Sequence, residues 1–127
     1  MLCAILLEGN FYKSTVILCI MKTLKFRESL SKLIITGKKD TTWRLFDEKN
    51  LSVGDVVSFL VWETKKEFAK VKIIEVKETK FGDLTDKDWN GHEKFSSDEE
   101  MYKTYSKYYN RQVDKNSPVK IIKFELQ

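Results

Sequence analysis

From residue 22 to 26 polar and apolar side chains alternate, with Leu24 and Phe26 on one face, which predicts a half-buried strand. Leu30, Leu33 and Ile34 follow at helical spacing. Ser29 is placed to cap the start and Gly37 falls where a helix favours a left-handed residue, so a short helix is predicted over residues 29–36. Residues 41–46 are rich in β-formers. Gly54-Asp55 reads as a turn leading into Val56, Val57, Phe59 and Val61, and the polar break at 65–67 reads as a hairpin. Residues 68–78 predict a long strand with a change of phase: Val71 and Ile73 share one parity, Ile74 and Val76 the other. The last strand repeats this, with Val119 and Ile121 followed by Ile122, Phe124 and Leu126. Such a change implies either a bulge or burial on both faces, and small closed barrels need bends of this kind. Between these two strands lies a helical insert. Ser97-x-x-Glu100 has the capping-box pattern, and Met101, Tyr102, Tyr105, Tyr108 and Tyr109 form one helical stripe. The sum is an α+β fold, a small mixed β-barrel of about five or six strands with two or three helices packed at its ends.

Composition limits the class of molecule. A chain of 127 residues suits one domain, 42% hydrophobic residues supply one modest core, and 33% charged residues suit a soluble protein. Cys3 and Cys19 are the only cysteines and no Cys/His cluster exists, so neither a metal nor a cofactor is expected. Residues 1–20 hold two apolar patches interrupted by Glu8, Gly9, Asn10 and Lys13. They make a poor membrane span, which needs about 20 mostly apolar residues, and a poor signal peptide. The regular pattern opens at Met21. We therefore read residues 1–20 as an N-terminal extension and 21–127 as a single domain, with no membrane partner and a cytoplasmic location. The competing reading makes residues 1–20 an extra strand or hairpin packed on the domain.

The net charge of +4 is unevenly spread. Seven basic residues and two acids fall between Lys22 and Arg44, so this segment carries +5 and the remainder is close to neutral. A localised basic segment attracts phosphate, although a plain solvated surface has the same composition. The densest polar cluster is Gly37-Lys38-Lys39-Asp40-Thr41-Thr42-Trp43-Arg44. Gly37 permits a tight exit from the helix. Thr42 and Arg44, two apart on a strand, share a face, and Lys39 stands at its mouth while Trp43 points into the core. An ammonium, a hydroxyl and a guanidinium converging there suit a phosphate, a carboxylate or a developing oxyanion.

Gly37-x-Lys39-x-x-Thr42-x-Arg44 resembles the GxKxxTxR signature of the ASCH family. The similarity extends over residues 21–127, through the Gly54-Asp55 turn, the Leu84-Thr85 segment, the helical insert and the last strand. It implies a PUA-like β-barrel whose motif lines a cleft, and a role in RNA metabolism with RNA or a modified nucleoside or nucleotide as ligand. Gly37, Lys39, Thr42 and Arg44 are then the ligand-binding set. Some members hydrolyse the acetyl amide of N4-acetylcytidine and others are ribonucleases, so the resemblance also admits an enzyme. In the amidohydrolase branch Lys and Thr act with a downstream Glu. Here these are Lys39, Thr42 and Glu93, although a shift of one residue would put His92 in place of Glu93. Trp89 and His92 are candidates for stacking on a base, against the plainer reading of both as packing residues. The tyrosine stripe reads as core. A third reading is a protein-interaction adaptor in which Arg44 pairs with Asp40 or Glu93.

Overall fold

The computed structural model describes residues 21–46 and 49–127, so the expectation for residues 1–20 lies outside the described residues. The elements run β1 (Lys22–Phe26), α1 (Glu28–Ile35), β2 (Thr41–Arg44), β3 (Val56–Val61), β4 (Glu67–Lys80), a 3-10 turn (Phe81–Asp83), α2 (Asp86–Trp89), α3 (Asp98–Tyr109) and β5 (Pro118–Leu126). The strands form one sheet in the order β1-β3-β4-β5-β2, parallel between β1 and β3 and antiparallel elsewhere.

The phase changes have two different causes. On β4 the register against β5 slips between Ile73 and Glu75. Ile74 is the extra residue of a bulge and points out, 40% exposed, while Val76 returns to the side of Val71 and Ile73 and packs on the same core. On β5 both faces are covered. Ile122 and Phe124 join the core inside the curled sheet with Leu24, Phe26, Phe59 and Val71, whereas Val119 and Ile121 join a second core under α3. That second core is aromatic, built on Trp43, Phe81 and Tyr105.

The curl brings the edge strands β1 and β2 towards each other, making a half-barrel joined there by side chains. Arg44 Nη2 donates to the Lys25 carbonyl at 3.1 Å, and Lys49 Nζ donates to the Thr23 carbonyl. The α1 helix connects these edges and buries Ile34 in the inner core. Ser29 does not cap it. The helix starts one residue earlier, and the Glu28 N–H donates to Glu63 Oε1 at 2.9 Å from the β3–β4 hairpin. Ser97 does cap α3, accepting from the Glu100 N–H at 3.1 Å.

Candidate functional site: a basic cleft between the curled sheet and α3

The last turn of α1 delivers the motif. Gly37 adopts a φ of 83°, which reverses the chain while the Lys38 and Lys39 N–H groups donate back to the Leu33 carbonyl. Lys39 is thereby turned inward and is only 2% exposed. Its Nζ donates to the Thr41 carbonyl at 2.7 Å and to Glu93 Oε1 at 2.5 Å. An ammonium has three donors, so one is left without a partner among the described residues. Burial, opposed by the attraction of Glu93, holds the Lys39 pKa below the usual lysine range. Glu93 is also largely buried. Burial opposes its ionisation, but the Lys39 charge and the hydrogen bond from Lys39 hold its carboxyl below the usual range.

Gly91 fixes where Glu93 stands. Its carbonyl accepts from the N–H groups of Asp40 at 3.0 Å and Thr41 at 3.2 Å, and the Asn90 carbonyl accepts from Thr41 Oγ1 at 3.1 Å. The loop carrying Glu93 is thus tied to the loop carrying Lys39. Gly91 sits at φ 83°, a backbone conformation that favours glycine, and a Cβ there would also push aside Asp40 Oδ1, 1.9 Å away.

Lys39, Thr42, Arg44 and Glu93 line one cleft of about 890 Å³. Thr42 is buried and lines the cleft from β2. Arg44 stacks on Phe26, 4.7 Å from the ring centroid, and ties β2 to β1. Its Nε is buried and unpartnered among the described residues, a state that costs about 1–3 kcal/mol unless a ligand acceptor meets it.

His92 and Trp89 lie elsewhere: both pack behind Trp43, and neither lines the cleft. The His92 ring stacks on Trp43 at 3.7 Å with an interplanar angle of 14°, and Trp89 meets Trp43 edge-on at 4.6 Å. His92 Nδ1 donates to the Glu93 carbonyl at 2.7 Å, leaving Nε2 to accept from the Tyr105 hydroxyl at 3.3 Å. Burial, helped by the nearby Lys39 charge, pushes the His92 pKa down to about 3, so the ring is neutral at pH 7. Of the two residues competing for the place beside Lys39, the carboxylate of Glu93 makes the contact.

The sequence reading missed the walls. Lys25, Arg27 and Trp62 line the cleft on the sheet side, and Lys103, Lys107 and Tyr108 line it from α3. Lys103 and Lys107 stand four apart on α3, which was a readable signal, but only the curl of the sheet reveals that they face the motif. Among the described residues no group of three or more His, Cys, Asp or Glu side chains is placed to hold a metal ion, and no helix is long and apolar enough to cross a membrane.

Solved structures share this architecture. An ASCH domain from Lactobacillus crispatus aligns with a TM-score of 0.63 at 11% identity, covering 90% of this chain and 84% of that one. A protein from Enterococcus faecalis aligns with a TM-score of 0.70 at 15% identity, covering 85% and 81%. A protein from Pyrococcus furiosus is 28% identical with a TM-score of 0.60, covering 84% and 97%. No family model matches the sequence, and no curated protein matches it.

Proposed function

From the ASCH-like, PUA-like half-barrel that the chain shares with these structures, we propose that the motif cleft is a binding site for RNA or a nucleotide. The observation that carries this reading is the cleft itself. Lys39, Thr42 and Arg44 line a space of about 890 Å³, with Lys25, Arg27, Lys103 and Lys107 around it and Glu93 and Glu100 as the acids of the lining. Donors on the floor suit the oxygens of a nucleotide, and basic walls suit the phosphates on either side. Binding through phosphates releases counterions, so affinity falls steeply with salt. Filter binding of single-stranded RNA at 50 and 200 mM salt tests this. Retention at low salt that drops about tenfold or more at high salt is expected. Equal and negligible retention at both rejects it. Shortening of the RNA during the assay would point to the ribonuclease form of the activity.

The buried contact between Lys39 and Glu93 favours a second reading, a hydrolase of the N4-acetylcytidine amidohydrolase type. A lysine of lowered pKa can take the proton of the Thr42 hydroxyl as its oxygen attacks the acyl carbon. Lys39 can then hand that proton through Glu93, to which it is hydrogen-bonded, to N4 as the C–N bond breaks, freeing cytidine, and water releases acetate from Thr42. Incubation with N4-acetylcytidine checks this. Turnover in the wild type that falls about 10²–10⁴-fold in Lys39→Ala supports the enzyme. Absence of turnover in both leaves binding alone.

A further inference from the structure

Trp62 leaves β3 at the hairpin and belongs to neither core, its indole 43% exposed. Its backbone N–H donates to the Phe26 carbonyl at 2.7 Å, continuing the β1–β3 pairing by one step and holding the ring beside β1. Three cations surround that ring. Lys65 Nζ lies 4.2 Å from its centroid, the Arg27 guanidinium 5.3 Å and Lys25 Nζ 5.6 Å. Glu63, the residue after Trp62 in the chain, contacts Arg27 at 4.0 Å and accepts from the Glu28 N–H. Across the cleft Tyr108 is 53% exposed beside Lys107.

The indole lies outside both cores and is shared between solvent and three cations. It offers a flat apolar face between points that attract phosphate, which is the chemistry that holds an unpaired base and its backbone. The volume points the same way. About 890 Å³ lies near the top of the roughly 300–1,000 Å³ range of small-molecule pockets, leaving room beyond a nucleotide on the motif floor. We propose that Trp62 is a stacking platform for an unpaired base of single-stranded RNA, adjacent to the nucleotide held over Lys39 and Thr42, with Lys25, Arg27 and Lys65 meeting the flanking phosphates. The proposal rests on the nucleic-acid reading of the cleft and narrows it to single strands, because a duplex hides its base faces.

Three probes at low salt test it: an eight-nucleotide oligouridylate, an eight-base-pair RNA duplex and CMP. Trp62→Ala weakens the oligouridylate roughly 5- to 150-fold, the strength of one base–indole stack. Trp62→Phe restores most of this, and CMP affinity stays within about twofold because CMP sits on the floor. The duplex binds more weakly than the single strand. An oligouridylate affinity for Trp62→Ala within twofold of wild type overturns the platform while leaving the cleft reading intact. Equal binding of duplex and single strand overturns it too, as does displacement of the oligouridylate by polyglutamate at matched charge, which would assign the surface to an acidic peptide. Failure of the wild type to bind either the oligouridylate or CMP removes platform and cleft together.

Discussion

His92 stacks on Trp43 and donates to the Glu93 carbonyl, and that packing makes stability depend on pH. The unfolded chain takes up a proton near pH 6.5, while the buried ring resists protonation down to about 3. The unfolded state therefore binds more protons across this window, and stability falls as pH drops below about 6.5. Glu93, whose folded pKa is also depressed, adds its own loss only below its unfolded value of 4.5. Urea midpoints measured at pH 7, 6 and 5 isolate the histidine. The wild-type midpoint is expected to fall across these values, and His92→Gln to show a flatter profile. Parallel profiles would mean the ring titrates normally. The Lys39–Glu93 pair gives a second prediction. Glu93→Gln leaves a buried ammonium beside a neutral group. It is expected to lower stability by about 3 kcal/mol, the low end for a broken buried pair because Glu93 is 23% exposed. Lys39→Met is expected to cost less, since the Glu93 carboxylate can recover water. Denaturant unfolding of both variants gives the order.

At the level of elements, what the sequence made legible depended on whether the signal was local. The alternation ending at Phe26, the capping serine at Ser97 and the phase breaks on β4 and β5 are local patterns, and each corresponds to a structural feature. The breaks could not be told apart in sequence, because a bulge at Ile74 and double-sided burial on β5 both reverse parity. The cap of α1 was misassigned to Ser29 because the Glu28 N–H finds its acceptor on Glu63, 35 positions away. The aromatics depend on distant contacts in the same way. Trp89 stands near Glu93 in sequence, but its loop must close the second core, whereas Trp62 reaches the cleft from a distant hairpin. Gly91 gave no motif, yet it joins the two loops of the site. Gly91→Ala is expected to lose about 1–2 kcal/mol from the left-handed backbone alone, and to displace Glu93 from Lys39. Thermal melting reads the first effect. An unchanged midpoint would show that the loop adapts without strain.

Taken as a whole, the molecule sets a motif floor between two walls of different origin. The floor comes from α1 and β2, one wall from β1 and the hairpin, the other from α3. Arg44 belongs to both the floor and the seam, since it ties β2 to β1 while keeping Nε unpaired. The sequence showed the positive charge of the first half of this domain but not the contribution of Lys103 and Lys107, which join it only through the fold. The central claim is that this cleft, and no other surface, receives RNA. Titration of isotope-labelled protein with the eight-nucleotide oligouridylate, followed by amide and indole NMR shifts, tests it most directly. The account predicts saturating shifts at Lys39, Thr42, Arg44 and the Trp62 indole, with the buried Trp43 indole moving less. Shifts confined to other faces, or none at all at saturating RNA, would contradict it.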